Sequence, residues 1–497
     1  MSATFQKTLL AAIIKSLLRG KSLVQSLLAY WGSSLGLETN TKTRFANTPR
    51  KSAQDFLKEA EALFLDPVSQ DGLQELSNNL RKQLLERLET DMECMLPSYS
   101  HQLPRGTEVG RFVALDVGGS TLRVALVELC GRVSNIGEES RIVSMRNFHI
   151  TPEIKALEGM LFFDWMAEKI LETLSAELEQ QDRSDGPLPM SMAWSFPIDA
   201  CLLSESYNHP TTRFGLILGT GVNLAAYLPV SAIGRVKFGE RPPQWFEKAT
   251  HVIINSEISM MGRDILPLTR WDRQLLVNHS RPEFQPLEHM VSGMYLGEIC
   301  RLALVEAIES TGVFGGVVPV SLEKPYSFST ETLSIIERDT SSDAEEARKQ
   351  FSSRHPSSQP PTGADLSFLK QLAGLISRRS SALVAAGVHA FWNLRIDSQN
   401  KFVSTLSPES SERDSAEADR DLAETTVAYN GGVIESYPGY LDSCQSYLND
   451  LVAADKMEKS GNRTIKLVSA KESSLMGAAV ALASLEEVVE GPLGVVG

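Results

Sequence analysis

The chain has 497 residues, 48 basic and 62 acidic, for a formal charge of −14, and 42% of it is hydrophobic. At roughly 150 residues per domain this allows two or three domains with ample core, and excludes a disordered or fibrous chain. The acidic balance speaks against general nucleic-acid binding, no apolar run reaches the ~18 residues of a spanning helix, and five scattered cysteines (Cys94, Cys130, Cys201, Cys300, Cys444) without CxxC spacing suit a reducing compartment rather than a disulfide scaffold or a zinc ribbon.

The charge is unevenly spread. Residues 1–51 hold eight basic residues against one acid, Glu38, which gives +7 and leaves −21 on residues 52–497. Phe5, Leu9, Leu10, Ile13, Ile14, Leu17 and Leu18 fall on one face at helical spacing, with Thr8, Lys15 and Arg19 opposite. An amphipathic, acid-poor leader of this kind fits mitochondrial targeting or binding to an anionic membrane surface through residues 1–33; the alternative is an ordinary helix docked on the body. Charges interrupt its apolar stretch, which argues against a secretory signal. The expected location is cytoplasmic, with association to the mitochondrial outer membrane.

Ser52-Ala53-Gln54-Asp55 reads as a helix start, with Ser52 as N-cap and Asp55 three residues on. Helical patterning then runs to about Met95, broken at Asp66-Pro67. From Arg111 the period changes to that of strands: Phe112 to Leu115, Leu122 to Leu129 and Arg141 to Ile150. Residues 156–180 read as a helix and Met190 to Phe196 as a strand. Segments 339–365 and 403–424 are polar and rich in Ser, Glu and Asp, and are expected to be solvated insertions without enough apolar surface to offset chain entropy. Between them Phe368 to Trp392 has the pattern of a long helix, and Leu475 to Glu487 that of an alanine-rich one.

Strand, glycine-rich turn, strand occurs twice, at residues 113–129 (VALDVGGSTLRVALVEL) and 215–228 (GLILGTGVNLAAYL). Glycine lets backbone N–H groups approach a phosphate, and Ser or Thr adds a donor. Asp116, just before the first turn, has the chemistry to orient a hydrated magnesium ion. One such turn is more often just a hairpin. Two of them about 100 residues apart suggest a duplicated nucleotide-binding core, the layout of the actin-like ATPases. Neither GxxxxGK[ST] nor GxGxxG is present.

The chain resembles the hexokinase family. FVALDVGGSTLRV (Phe112 to Val124) is similar to its first phosphate motif, LPMSMAWSFP (Leu188 to Pro197) to its sugar loop, and LGTGVN (Leu218 to Asn223) to its second phosphate motif. Ile254-Asn255-Ser256-Glu257 resembles INTE, and EHMVSGMYLGE (Glu288 to Glu298) is the most specific match. Asn430-Gly431-Gly432 and Met476-Gly477-Ala478-Ala479 stand where the family has its later turns. The resemblance covers about residues 55–490 and implies transfer of phosphate from ATP with Mg²⁺ to the 6-hydroxyl of glucose or a related hexose such as N-acetylglucosamine.

By that resemblance Ser195, Asn223, Glu257 and Glu288 bind sugar hydroxyls. Asp116, Gly118, Gly119, Ser120, Thr121 and Arg123 line one side of the phosphates, Gly219, Thr220 and Gly221 the other, and Gly477 lies near adenosine. Carboxylates and amides suit sugar hydroxyls because the former accept and the latter both donate and accept. Taken singly, Glu257 and Glu288 read as surface carboxylates, and Ser195 as a strand-end hydroxyl.

One family segment is absent. The family has a Thr-Lys pair and then an Asn-Asp pair, whose Asp is the general base, between SFP and the second hairpin; here Ser195 and Asn223 are only 28 positions apart. Asp199 lies in that short linker with no motif to mark it, so no catalytic residue is assigned. Loss of a base costs about 10²–10⁴ in rate, which leaves a non-catalytic sugar- or nucleotide-binding regulator as the alternative to an enzyme. Ser473-Ser474-Leu475 in place of GSG is expected to crowd the adenosine side. The expected architecture is α/β: leader 1–51, a shortened small domain over 52–210 with its preceding helices, a large domain over 211–490, and a cleft between the two domains.

Overall fold

The computed structural model describes residues 51–132, 138–180, 187–194, 198–341, 343–459 and 463–486. Residues 1–50 of the leader and Ser195 lie outside the described residues. The helices named below are α1 (Ala53–Leu65), α2 (Gln70–Thr90), α3 (Leu161–Gln180), α4 (Ile198–Asn208), α5 (Arg270–Asn278), α6 (Gly363–Thr405), α7 (Tyr440–Lys459) and α8 (Ser473–Glu486). The strands are β1 (Leu96–Pro97), β2 (Val109–Val117), β3 (Thr121–Cys130), β4 (Ser140–His149), β5 (Met190–Trp194), β6 (Thr212–Leu218), β7 (Val222–Pro229), β8 (His251–Asn255), β9 (Glu424–Asn430) and β10 (Thr464–Ser469).

The strands form two sheets, β4-β3-β2-β5 and β1-β8-β7-β6-β9-β10. Both repeat one plan. A hairpin (β2/β3, β6/β7) carries a third antiparallel strand on its second arm (β4, β8) and a parallel strand on its first arm (β5, β9). In the large sheet β10 adds a further parallel strand outside β9. No described strand takes that place beside β5, and α4 follows β5 after three residues, whereas α7 and β10 intervene between β9 and α8. The small lobe is thus short by one strand and its connecting helix, as the sequence spacing implied. Met190, Met192 and Trp194 on the bare edge strand are 54%, 40% and 57% exposed.

Strand β2 is apolar without alternation because both of its faces are covered. Val113, Leu115 and Val117 share a core with Met166 and Leu174 of α3. Phe112 and Ala114 point the other way, as a period of two requires, into a core with Leu202 of α4, Leu475 and Ala479 of α8, and Ala225 and Ile253 of the large sheet. Helices α4 and α8 therefore fill the space between the sheets and fix where the cleft opens.

Ser52 accepts the Asp55 N–H as expected of the cap, and the helix breaks at a short 3₁₀ turn over Asp66–Val68. Helices α1 and α2, grouped by sequence with the small domain, instead belong to the large core: Phe56 and Phe64 meet Trp271 with centroids 6.0 and 5.0 Å apart. Helix α6 runs for 43 residues, beyond the expected limits, from a capping box of Thr362 and Asp365. Segment 339–365 is not a solvated spacer. It contains the helix Glu345–Arg354, whose Ala347 and Phe351 lie four residues apart on one face and are both buried, Phe351 against Phe314, Phe328 and His355. In segment 403–424 the helix Ser411–Arg420 buries Ala416 with Phe402 and Val403, and Asp419 pairs with Arg213 and Arg395.

Candidate active site

Three cavities bear on the site: two border the glycine turns of the hairpins, and one lies among β1, β5, β8, α4 and α8. The first, about 370 Å³, is lined by Thr220, Gly221, Asn223, Glu257, Gln285 and Glu288. It brings together three of the four residues expected to hold sugar. Asn223 closes the turn end of β7, where its Oδ1 accepts the Leu224 N–H at 2.8 Å. Its Nδ2 donates to Asn255 Oδ1 at 2.9 Å and to Glu257 Oε1 at 3.3 Å, and Asn255 Nδ2 donates to the same Glu257 oxygen at 2.8 Å. Glu257 has a φ of 48°, left-handed for a residue with a side chain, at the turn leaving β8. Glu288 Oε2 accepts the Val222 N–H at 2.9 Å. Burial raises the Glu288 pKa above the usual range and the charge of Glu257 adds to this, against the Val222 hydrogen bond. Two carboxylates and two amides facing one cavity are a set of acceptors and donors suited to a polyhydroxylated ligand.

The second cavity, about 430 Å³, is lined by Ser98, Trp194, Asp199, Asn255 and Gly477 among others, and its Asn255 is the one that donates to Glu257 of the first. Asp199 stands in the first turn of α4, where the helix N-terminus favours a negative charge. Burial nevertheless pushes its carboxyl up to about 6, with a hydrogen bond from Ser98 opposing. This carboxylate, passed over in the sequence, lies in chain order between the sugar-loop strand and the second hairpin, where the family motif places its base. The signal that marks it is positional: an acid at the start of the helix leading into β6. Asn255 was also missed, although the INSE motif contains it.

The third cavity, about 730 Å³, is lined by Asp116, Gly118, Gly119, Arg123, Asn430 and Lys471 among others, and shares Ile217 with the first. A Cβ added to Gly119 would meet nothing within 4 Å, so its backbone is open to a ligand. Ser120 and Thr121 serve the hairpin itself, their carbonyls accepting the N–H groups of Ile150 and Gly118 at 2.8 and 2.9 Å. Arg123 donates through Nε to Asp116 Oδ2 at 2.9 Å, through Nη1 to Glu472 Oε2 at 2.6 Å and through Nη2 to Ser474 Oγ at 2.6 Å. Ser474 Oγ in turn donates to Asp116 Oδ2 at 2.9 Å. Ser474, expected to crowd an adenosine, is bound into this network.

The second turn divides its glycines. Thr220 and Gly221 line the first cavity rather than the third. Gly219 donates to the Gly221 carbonyl at 3.0 Å and accepts the Gly293 N–H at 2.8 Å. Gly477, expected beside adenosine, is the contact between α8 and α4: a Cβ there would lie 2.1 Å from the Ala200 carbonyl oxygen.

A twice-repeated sheet plan whose two glycine turns border adjoining cavities, one acidic and one holding an arginine beside an aspartate, is the α/β plan of the actin-like class. Models of the hexokinase family match residues 59–212 and 213–484, and the chain belongs to the hexokinase family. It is 25% identical to Hexokinase-5 of Oryza sativa subsp. japonica and 26% identical to Hexokinase-2 of Arabidopsis thaliana, each over 80% of this chain and 83% of the relative. Its fold is similar to that of a hexokinase from Schistosoma mansoni complexed with glucose, with a TM-score of 0.65 at 23% identity over 87% of this chain and 100% of the other.

Proposed function

We infer that this chain transfers the terminal phosphoryl group of ATP to the 6-hydroxyl of a hexose, glucose or a close relative, with Asp199 as the general base. The observation that carries this is the junction at Asn255. Its side chain lines the Asp199 cavity and donates to Glu257 Oε1 at 2.8 Å, and Glu257 lines the other cavity with Glu288, so one amide links the carboxylates that hold the sugar to an acid–base group.

In this reading Asn223, Asn255, Glu257 and Glu288 orient the sugar ring. Asp199, pushed up to about 6, is mostly ionised at pH 7.5 yet basic enough to take the proton as the hydroxyl oxygen attacks phosphorus. Arg123 and the open backbone at Gly119 offer donors to the phosphates. Asp116 makes its side-chain hydrogen bonds through Oδ2, which leaves Oδ1 for a water of a hydrated magnesium ion. Mg²⁺ bound with the nucleotide supplies neutralisation of the phosphate charge. Asp199 supports the enzyme over the non-catalytic regulator, whose motivation was the missing base.

ADP release by the purified chain with a panel of hexoses, N-acetylglucosamine included, tests the reading and sorts the substrates. Turnover with at least one sugar, abolished in Glu257→Ala, is the expected result; no sugar-dependent turnover contradicts it. The leader supports a second element of the proposal, attachment to the mitochondrial surface by its apolar face and +7 charge. Deleting residues 1–33 should release a fluorescent fusion into the cytoplasm, and a diffuse full-length fusion would refute the attachment.

A further inference from the structure

Asp116 and Arg123 face each other across the β2/β3 hairpin. Glu472 and Ser474 belong to the segment that leaves β10 of the large sheet and enters α8. The 2.6 Å contact from Arg123 Nη1 to Glu472 Oε2 therefore ties the phosphate hairpin of the small sheet to a segment arriving from the large one. With Nε on Asp116 and Nη2 on Ser474, all three guanidinium nitrogens are engaged.

Glu472 is held there by its backbone. Its φ is 51°, in the left-handed region that residues with side chains avoid, and its carbonyl accepts the N–H groups of Leu475 and Met476 at 3.0 Å each. Its side chain is 38% exposed and borders the 730 Å³ cavity. It can leave Arg123 for solvent without repacking a core.

We propose that Glu472 is a positioning residue of the nucleotide site: an internal carboxylate that holds the Arg123 guanidinium until a nucleotide phosphate displaces it. This rests on the reading of Arg123 as a phosphate ligand. A carboxylate and a phosphate compete for the same forked N–H donors, and the more highly charged phosphate takes them when it is present. Asp116 keeps Nε, so the guanidinium stays in place while Nη1 changes partner. Competition from Glu472 weakens nucleotide binding, and phosphate displaces the Glu472 contact while Ser474 still joins α8 to the hairpin.

Calorimetric titration of the full chain and its Glu472→Gln and Glu472→Ala variants with MgATP, MgADP and adenosine tests this. Both variants should bind MgATP and MgADP roughly 2–5-fold more tightly, the scale of a half-exposed ion pair, with the affinity for adenosine and the KM for hexose unchanged. Unchanged or weaker MgATP binding in both variants, or an equal gain for adenosine, overturns the role of Glu472. If MgATP binds neither the parent chain nor the variants, the nucleotide reading itself is wrong and the proposal falls with it.

Discussion

Gly221 and Glu288 fit each other: a Cβ on Gly221 would lie 2.7 Å from Glu288 Oε2, the oxygen that accepts the Val222 N–H at 2.9 Å. The second glycine turn thus borders the cavity that holds Glu257 and Glu288. Gly221→Ala should push the carboxylate off its donor. One charge-assisted hydrogen bond is worth about 1.5–3 kcal/mol, so the KM for hexose should rise about 10–100-fold, with a smaller change in the KM for ATP. Steady-state kinetics with each substrate varied in turn distinguishes the two.

The carboxyl of Asp199 is pushed by burial up to about 6, above its value in an unfolded chain. The folded state then binds the proton more tightly, so the ionised group costs folding free energy. That cost is fully present above pH 6 and is relieved as pH falls towards 4. Asp199→Asn should therefore keep the fold and raise the melting temperature at pH 7.5 by roughly 1–3 °C. In the parent chain kcat/KM should fall below about pH 6, as the base becomes protonated.

Asp272 and Arg379 form a two-pronged pair at 2.6 and 2.9 Å, and both side chains are buried. Burial pushes the Asp272 carboxyl up, but Arg379 and Thr269 outweigh it and leave its pKa below the usual range. The pair's contribution is thus present above the normal carboxylate range and is lost only as pH falls through that lowered pKa. Removing one partner strands a buried charge at a cost of about 3–5 kcal/mol. Arg379→Met should lower stability by that amount in urea unfolding, and pairing it with Asp272→Leu should recover part of the loss.

Phe351 is buried among Phe314, Phe328 and His355. Phe351→Ala should cost about 3–5 kcal/mol, measured by denaturant unfolding, although it sits in a segment whose composition reads as a linker.

Composition hid that helix because two apolar residues, Ala347 and Phe351, are enough to pin it to an aromatic cluster built elsewhere. Both hairpins were legible in the sequence, since Phe112 to Leu115 and Leu216 to Leu218 are apolar runs bounded by glycine turns. Which lobe α1 and α2 join was not: the Trp271 that holds α1 is about 200 positions away, and only tertiary packing brings it to Phe56 and Phe64. At the site, Asn223, Glu257 and Glu288 carried recognisable neighbours, and the structure gathers them at one cavity. Asp199 carried none. Its environment comes from Ser98 and from burial at the start of α4, and neither can be read from its neighbours in the chain. Gly477 has a sequence context that suits a ligand, and the structure adds what that context does not show, its close packing on Ala200.

In the proposed mechanism this chain, short by one strand and helix in its small lobe, keeps a working base in Asp199. Hexose 6-phosphate formation by the purified parent chain and by Asp199→Asn at pH 7.5 tests it most directly. A base at Asp199 requires measurable turnover in the parent and a kcat about 10²–10⁴ lower in the variant, with the KM for hexose little changed. Equal rates in the two proteins, or no sugar-dependent product from the parent, would contradict it.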